Sequence, residues 1–400
     1  MVMGMSDARR MAKIIFVYFD AGGGHRSALN ALRAAIEQQQ RPWEIVPLNL
    51  QEQLDKIDPF LKFTKLRLQD FYNAMIERGW TLGTPQLLPM LHALVRAYHR
   101  PVVRLMKSYW RQTRPEMVVS IIPNFNRALI VSLKQELPSV PYVNVITDIA
   151  DYPPHFWMER ESEYLICGSD KAVQQARALR HAETRIFRTS GMILNPRFYV
   201  PVTEERASGR AKLGLDAQRP TGLLLFGGQG SAVMKKIVER LSAAKLDVQL
   251  IAICGHNAKL AEEMRAMKTR FPLFVEGFTK EVPRYMHLSD FFIGKPGPAS
   301  ISEALLMGLP VIVERNAWTL PQERYNTEWV REKQVGIVLS SFADIARGVE
   351  ELLEPTRFSR FRANARAIEN RAVFEVPGFL QQILQAGDAA RSTKAVAKRQ

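Results

Sequence analysis

The amino-acid sequence predicts an α/β protein made of two doubly wound, Rossmann-like domains that face each other across a cleft. A run of β-branched and aromatic residues at 13–19 precedes a glycine-rich turn and then apolar residues at helical spacing, which is how a βαβ unit begins. The same order restarts at 221–226, after a polar stretch rich in Pro and Gly at 196–219. Because ligands bind beyond the carboxyl ends of parallel strands, we expect the functional site in the crevice between the domains.

Further apolar runs extend both series. The N-terminal half predicts additional strands at 45–50, 117–122, 142–146 and 164–167, with helices at 128–137 and 171–179. The C-terminal half predicts strands at 248–254, 274–277, 291–293 and 310–313, with helices at 232–244 and 301–307. The segment 57–110 instead carries long helical patterns broken by Gly and Pro. We therefore divide the chain into an N-terminal domain, a C-terminal domain and a helical extension with a basic tail, at 1–200, 201–355 and 356–400.

Composition indicates a folded protein of a reducing compartment. Hydrophobic residues make up 46% of the chain and charged residues 24%, as in ordinary globular proteins. Cys167 and Cys254 are far apart and have no metal-ligand spacing, so neither a disulfide framework nor a zinc site is expected. The segment 1–11 lacks the apolar core of a secretory signal, and no apolar run is long enough to span a bilayer. We expect a protein of the cytosol, or of a surface that faces it.

The net charge of +15 requires a partner of opposite sign. No nucleic-acid-binding module is recognisable, so we do not expect nucleic acid to be that partner. The segment 61–115 carries ten basic residues and only two acidic ones, interspersed with apolar residues at 80–95. This combination favours contact with an anionic bilayer, and the alternative is a core helix with a solvated basic face. The basic residues are Lys62, Lys65, Arg67, Arg78, Arg96, Arg100, Arg104, Lys107, Arg111 and Arg114.

The first motif, Asp-Ala-Gly-Gly-Gly-His at 20–25, lies between a strand and a helix. Gly22, Gly23 and Gly24 let the backbone approach a ligand closely and direct amide N–H groups into the cleft. His25 falls in the first turn of the helix, where the positive end of the helix dipole favours a neutral imidazole. A neutral imidazole is able to act as a general base, and the alternative is a turn whose histidine only packs or caps. No Gly-Lys-Ser/Thr follows, so the loop is not a P-loop.

The second motif, Phe-Gly-Gly-Gln-Gly-Ser at 226–231, occupies the equivalent junction in the second series. Glycines followed by a serine at the start of a helix suit a pyrophosphate, because the free backbone N–H groups point at it. Gly228, Gly230 and Ser231 are the candidate contacts.

The third motif, at 294–310, is another strand-to-helix loop. Gly297, Ala299 and Ser300 are small enough to approach phosphate, and we place Glu303 in the first turn of the following helix. A carboxylate there either accepts hydrogen bonds from ribose hydroxyls or caps the helix. After the motif ends in Gly308-Leu309-Pro310, a polar cluster begins at a proline at 321. Its residues Gln322, Glu323 and Asn326 gather amide and carboxylate groups that recognise sugar hydroxyls, unless they belong to an ordinary capped surface helix.

These motifs, in this order over 22–326, resemble the family of processive diacylglycerol glycosyltransferases and monogalactosyldiacylglycerol synthases, which is glycosyltransferase family 28-like. The family is related to the enzyme that adds N-acetylglucosamine to the lipid-linked peptidoglycan precursor. The closest matches are the runs at 294–310 and 318–323. The resemblance implies a GT-B fold, a UDP-sugar donor and inversion of the anomeric centre, with neither a catalytic metal nor a cofactor.

The resemblance also implies roles for the motif residues. In the 201–355 domain, Glu303 would hold the ribose, and the loops at 228–231 and 297–300 would hold the diphosphate. Gln322, Glu323 and Asn326 would read the hexose, and Phe278 stands where the family has its uracil-binding loop. In the 1–200 domain, which would face the acceptor and the membrane, His25 would stand at the acceptor beside the 22–24 loop.

A Thr-Asp pair at 147–148 matches a pair that lines the cleft in the family, so Asp148 either orients His25 or is itself the base. The next residues, at 151–157, depart from the plant galactolipid enzymes, which have a Cys-His before the tryptophan. The departure leaves the acceptor and the role of His155 open.

The resulting expectation is an enzyme, a UDP-sugar-dependent hexosyltransferase. It would move a hexose from UDP-glucose or UDP-galactose to a lipid, with diacylglycerol as the expected acceptor and an anionic membrane surface as partner. Its expected place is the cytoplasm, peripherally bound to the inner face of the cell membrane. Three alternatives stay open: another lipid carrier as acceptor, a non-hydrolysing UDP-sugar epimerase, and a non-catalytic membrane-binding protein with a vestigial donor pocket.

Overall fold

The computed structural model describes residues 11–20, 23–57, 84–161 and 163–397. Two parallel six-stranded sheets form its centre. The first sheet contains β1 (Ala12–Tyr18), β2 (Trp43–Asn49), β3 (Met117–Ser120), β4 (Tyr142–Val145), β5 (Tyr164–Cys167) and β6 (Ile186–Arg188). The second contains β7 (Thr221–Leu225), β8 (Gln249–Ile253), β9 (Leu273–Glu276), β10 (Phe291–Gly294), β11 (Val311–Glu314) and β12 (Gly336–Leu339).

The strand orders show where each sheet changes winding direction. They are β2-β1-β3-β4-β5-β6 in the first sheet and β12-β11-β10-β7-β8-β9 in the second. The order reverses once in each sheet, between β1 and β3 in the first and between β7 and β10 in the second. In both sheets the chain runs from the first strand toward one edge, and later strands are added on the other side of that first strand. Ligands of open parallel sheets bind beyond such a reversal. The loops after β1, β3, β7 and β10 are therefore the ones that the fold offers for function.

Helices cover both faces of each sheet. The helices of the N-terminal half are α1 (Gly24–Gln38), α2 (Leu50–Leu54), α3 (Thr84–Thr113), α4 (Asn126–Glu136) and α5 (Asp170–Ala178). Those that follow are α6 (Arg206–Lys212), α7 (Val233–Ala244), α8 (Ala258–Arg265), α9 (Val282–His287), α10 (Pro298–Leu306), α11 (Pro321–Glu332), α12 (Ile345–Leu353), α13 (Pro355–Ala367) and α14 (Ala372–Ala397). Their apolar stripes pack on strands that are buried on both faces, such as β3 and β7, whose residues are all buried.

The predicted strand series is correct except at its ends. The sequence did not predict β6 or β12, which are edge strands of three and four residues. An edge strand this short contributes too few apolar residues to stand out as a run, and β12 begins with glycine. Most of the segment 57–83 lies outside the described residues.

The C-terminal extension divides between the two halves of the molecule. Phe361 and Ala365 of α13 are buried in the cores around the second sheet. Val376 and Leu380 of α14 are buried instead in the core that contains β1 and α1. Beside this return, the Glu375 carboxylate accepts a hydrogen bond from the Ser190 backbone N–H at 2.7 Å. The end of the chain thus completes the core of the N-terminal domain.

Candidate active site

His25 is the second residue of α1, directly beyond β1. The helix begins after Gly23, whose φ of 77° is readily adopted only by glycine, so the backbone turns sharply from strand to helix. Among the described residues, a side chain at Gly23 or Gly24 would meet nothing within 4 Å. Gly22, the remaining member of the predicted acceptor loop, lies outside the described residues.

The His25 ring is neutral at ordinary pH. It is half-buried, and its Nδ1 is shielded from solvent without a hydrogen-bond partner in the described part of the chain. Burial lowers the pKa of His25 to about 4, against a smaller opposing effect of the Ile121 backbone. The sequence predicted a neutral ring because of the helix dipole, and the structure gives a stronger reason, which is loss of hydration. An imidazole in this state is able to accept a proton.

Asp148 follows β4 and is also buried, at 9% exposure. The indole Nε1 of Trp157 donates a hydrogen bond of 2.8 Å to its Oδ2. Burial raises the pKa of Asp148 to about 7, and the nearby Glu323 and Asp151 carboxylates raise this pKa as well. The hydrogen bond from Trp157 and the charge of Lys295 lower it. Two of these groups belong to the C-terminal domain, so Asp148 faces the cleft between the domains. The ring centroid of Trp157, the residue that donates this hydrogen bond, lies 6.0 Å from the ring centroid of His25.

The loop after Asp148 is held from inside by Asp151. Its buried carboxylate accepts hydrogen bonds from the backbone N–H groups of His155, at 3.1 Å, and Trp157, at 2.7 Å. The His155 side chain is exposed, so this residue serves the loop through its backbone. From the same loop, the Tyr152 ring reaches across to Tyr325 of α11, with ring centroids 5.6 Å apart.

The loop after β7 is packed against the loop after β8. Gly227, Gly230 and Gly255 all have φ between 61° and 73°. A Cβ on Gly255 would lie 2.1 Å from the Gly228 carbonyl oxygen, so only glycine allows the two loops to touch. The His256 backbone N–H donates to the same Gly228 oxygen at 2.8 Å. Ser231 is half-buried just before α7, where its Oγ accepts a hydrogen bond from the Val233 N–H at 3.3 Å.

Phe278 and His256 form a stacked pair beside these loops. Their ring centroids are 3.9 Å apart and the rings are inclined by 17°. Phe278 is 58% exposed, which is unusual for a large apolar ring and suits a planar ligand. The sequence analysis named Phe278 but missed His256. The signal that could have found it is the Gly-His pair directly after β8, which repeats the Gly-His pair after β1.

The loop after β10 is tied to the polar cluster on α11. The Lys295 Nζ lies 3.4 Å from the Glu323 Oε1, and Glu323 is 8% exposed. Asn326 is fully buried, and its Nδ2 donates to the Pro296 carbonyl at 2.8 Å. Its Oδ1 is buried without a partner in the described residues. The predicted sugar cluster therefore also fixes the predicted phosphate loop, while Gln322 beside it is half-buried.

Glu303 lies in the second turn of α10, not in the first turn as the sequence predicted, because the helix already begins at Pro298. It makes no cap, since Gly297 is the N-cap residue and has no side chain. Burial raises the pKa of Glu303 to about 7, and Arg197 opposes the shift. A half-buried carboxylate that does not cap its helix is available to accept hydrogen bonds from a ligand. Ala299 and Ser300 lie in the first turn of the same helix, and a Cβ on Gly297 would lie 3.9 Å from the Ser300 Oγ and 3.7 Å from the Glu323 Oε1.

The described residues lack the features of a metal site and of a membrane span. They contain no group of three or more His, Cys, Asp or Glu side chains placed to hold a metal ion. None of their helices combines the length and apolar character of a bilayer span. Cys167 and Cys254 are both free and buried, and burial raises the pKa of Cys167 to about 12 and that of Cys254 to about 11.

The contact between Gly255 and Gly228 predicts the effect of adding one methyl group. Gly255→Ala should push the β7 loop out of place and weaken UDP binding at least tenfold, measured by calorimetry. Gly214→Ala is the matched control: its φ of 70° carries the same left-handed strain, but a Cβ there meets nothing within 4 Å. It should cost about 1 kcal/mol of stability and leave UDP binding unchanged. Equal UDP affinity in both variants would contradict the assignment of these loops to the donor.

Comparison with known proteins identifies a family domain in the C-terminal half and relatives along most of the chain. Residues 223–371 match the glycosyltransferase family 28 C-terminal domain. Monogalactosyldiacylglycerol synthase 1 of Arabidopsis thaliana is 25% identical over 95% of this chain and 72% of its own length. Monogalactosyldiacylglycerol synthase 2 of the same plant is 28% identical over 92% of this chain and 80% of its own length.

Solved structures show the fold. MurG of Acinetobacter baumannii matches with a TM-score of 0.58 and 12% identity, over 93% of this chain and 99% of that one. UDP-GlcNAc 2-epimerase of Neisseria meningitidis, bound to UDP-GlcNAc, matches with a TM-score of 0.56 and 11% identity, over 92% and 100%. The predicted GT-B arrangement of two Rossmann-like domains is confirmed. The chain contains a glycosyltransferase family 28 C-terminal domain and is similar over most of its length to monogalactosyldiacylglycerol synthases, which confirms the glycosyltransferase predicted from its sequence.

Proposed function

We propose that the protein transfers a hexose from a UDP-sugar to the hydroxyl of a lipid, with diacylglycerol as the acceptor and with inversion at the anomeric carbon. The observation that carries the proposal is the placement of two buried titratable groups at the interdomain cleft. His25 is a neutral base, and Asp148 faces Lys295 and Glu323 of the opposite domain. An acceptor from one side and a donor from the other would meet between them.

The donor would lie along the carboxyl edge of the second sheet. The diphosphate fits the backbone of the loops at 228–231 and 297–300, where glycines permit close approach, and Lys295 supplies a cation beside the second loop. Uracil would stack on the exposed face of Phe278, and Glu303 would accept hydrogen bonds from the ribose. The binding of UDP-GlcNAc by the Neisseria epimerase supports a UDP-sugar as the ligand class.

The reaction would proceed by direct displacement. His25 accepts the proton of the acceptor hydroxyl while the hydroxyl oxygen attacks the anomeric carbon and the bond to UDP breaks. Direct attack from the face opposite UDP inverts that centre. The negative charge of the ionised Asp148 at the same cleft would stabilise the imidazolium that forms on His25 through space, without a hydrogen bond to the His25 Nδ1. Backbone N–H groups of the 228–231 loop and the Lys295 ammonium stabilise the charge that develops on the leaving diphosphate.

The surface of α3 supports a membrane-bound acceptor. Val102, Met106 and Trp110 are buried on one face of this helix and pack against the core that contains α4. Its other face exposes Arg96, Arg100, Arg104, Arg111 and, half-exposed, Lys107, at intervals of three or four residues; we call these five residues the basic stripe. Each cation near an anionic bilayer contributes about 1 kcal/mol to binding. The stripe supports peripheral binding to the cytoplasmic face of the cell membrane. The side chains of 80–95 lie outside the described residues.

A transfer assay tests the proposal. Purified protein should move label from UDP-galactose or UDP-glucose to diacylglycerol in vesicles, resolved by thin-layer chromatography. His25→Ala should lose about a thousandfold in kcat because the base is gone, and should bind UDP normally. His155→Ala, which removes an exposed histidine from the cleft loop, is the control and should retain transfer.

Two outcomes would overturn the proposal, and two others would remove one part of it. The proposal would be excluded if UDP-glucose, UDP-galactose and UDP-GlcNAc all failed to label diacylglycerol. Label on another lipid instead would leave only the part of the proposal that concerns the UDP-sugar donor. Interconversion of a UDP-sugar without an acceptor would identify an epimerase. The fold of the Neisseria epimerase is about as similar to this chain as the fold of MurG is. Near-normal transfer by His25→Ala would remove His25 as the base.

The pH dependence of kcat/KM follows from the two titrating groups. Because Asp148 must be ionised and its pKa is about 7, kcat/KM should rise with pH up to about 7 and then level off. His25 stays neutral throughout this range, since its pKa is about 4. Asp148→Asn should be slower and should lack the rise between pH 5 and 7. A wild-type profile that is flat from pH 5 to 8 would contradict a role for the Asp148 charge.

The basic stripe is tested by charge reversal. The triple change Arg96→Glu, Arg100→Glu and Arg104→Glu should weaken binding to vesicles rich in anionic lipid by at least a hundredfold in a sedimentation assay, from about 1 kcal/mol per cation lost. The matched control reverses three exposed cations of the C-terminal domain, Lys236, Arg240 and Lys268, for the same change in net charge. Equal loss in the two triple variants would show that net charge alone, and not the stripe, governs binding.

A further inference from the structure

We propose that Trp157 is a positioning residue of this site, whose indole N–H holds the Asp148 carboxylate at the cleft while its ring lines the His25 pocket. The inference rests on the proposed function and assigns a role to a residue that neither accepts nor donates the transferred proton. Trp157 adjoins both candidate groups: its Nε1 is 2.8 Å from Asp148 Oδ2, and its ring centroid is 6.0 Å from that of His25.

The backbone of Trp157 is anchored on both sides. Its carbonyl oxygen accepts hydrogen bonds from Asn126 Nδ2 at 2.9 Å and from Asn144 Nδ2 at 2.6 Å. Its N–H donates to Asp151 Oδ1 at 2.7 Å. Three buried side chains from different parts of the N-terminal domain thus fix one residue. The indole has little freedom, being 1% exposed and packed with Ile146 and its neighbours in an apolar cluster.

The anchoring is more elaborate than packing requires. Asn126 and Asn144 are fully buried, where a polar amide costs free energy unless its hydrogen bonds are satisfied. Ser120 and Tyr142 each donate a hydrogen bond of 2.7 Å to the Asn126 Oδ1, so the Asn126 amide is satisfied by further buried groups, whereas the Asn144 Oδ1 has no partner among the described residues. An apolar contact would stabilise the loop without this network. The network instead specifies the position of the Trp157 backbone, and with it the direction of the indole N–H.

The indole N–H stabilises the ionised form of Asp148, which most of its other surroundings destabilise. Burial, Glu323 and Asp151 all favour the protonated carboxyl, whereas Trp157 and Lys295 favour the carboxylate. Among the described side chains, Trp157 is the one that donates a hydrogen bond to Asp148. Removing this donor while keeping an aromatic ring should therefore raise the pKa of Asp148 further. Less of the carboxylate would then be present at neutral pH, where the reaction requires it.

The experiment compares two Trp→Phe changes. Trp157→Phe removes the donor to Asp148. Trp110→Phe removes an equally buried indole of the same domain, whose Nε1 donates instead to Ser132 Oγ at 2.9 Å, away from the cleft. Trp157→Phe should shift the rise of kcat/KM by about one pH unit to the alkaline side, lowering kcat/KM about fivefold at pH 7 and restoring it at pH 9. KM for the UDP-sugar should be unchanged. Trp110→Phe should lose stability without a shift.

Substitution of Trp157 by β-(3-benzothienyl)alanine covers the case in which Trp157→Phe does not fold. This amino acid replaces the indole N–H with sulfur at nearly the same size, so it removes the donor and leaves the packing. It should give the same alkaline shift. A profile that superimposes on the wild type in this variant, or an equal shift in Trp110→Phe, would overturn the positioning role.

A second readout does not depend on transfer. Since the folded pKa of Asp148 is raised above its value of 3.8 in a model compound, the folded state binds the extra proton between pH 4 and 7, and the free energy of unfolding falls as pH rises through that window. Relative to Asp148→Asn, this fall should end near pH 7 in the wild type and near pH 8 with benzothienylalanine at 157. An unchanged end-point would refute the inference even if no lipid is glycosylated; a shifted end-point without lipid transfer would refute only the proposed function.

Discussion

The burial of charge where the two sheets meet is the constraint on which the rest of the site depends. Asp148 lies between the Trp157 indole of its own domain and the Lys295–Glu323 pair of the other. A carboxylate in such surroundings is held close to its titration point, because hydration is lost and only one donor and one cation replace it. The loops that surround it are fixed by buried hydrogen bonds for the same reason. Their polar groups have little water available, so the protein itself supplies the partners.

The sequence predicted the strand, turn and helix around each donor motif because each of these motifs is local. A strand, a glycine turn and a helix start occupy one short segment, and both sheets repeat that order. Glu303 was placed one turn too early, since the proline at 298 begins α10 sooner than the apolar pattern indicates. The edge strands β6 and β12 escaped because a short strand that pairs on one side alone has little apolar pattern. His256 escaped because stacking on Phe278 joins two loops that no spacing rule connects.

The acceptor half of the site has features that local sequence patterns do not predict. The sequence indicated that His25 is neutral, but burial by distant residues lowers its pKa more plainly than the helix dipole does. The sequence pattern indicates Trp157 only as part of a segment that differs from the plant enzymes. Its connections to Asn126, Asn144 and Asp148 arise because β3 and β4 pair side by side and bring the segments at their carboxyl ends together. Such networks depend on tertiary structure, and the spacing of residues along the chain does not encode them visibly.

The return of α14 to the N-terminal core has a consequence for how this architecture changes in evolution. The chain passes between the domains twice, and the two passages touch: Ser190 Oγ accepts a hydrogen bond from the Arg371 N–H at 2.7 Å, and Gly191 lies against Asn370. A recombination event that exchanges the nucleotide-binding half must therefore join the foreign segment at two adjacent points, as an insertion, and not at a single junction. Fusion of two separate genes end to end would leave the first half without its last helix.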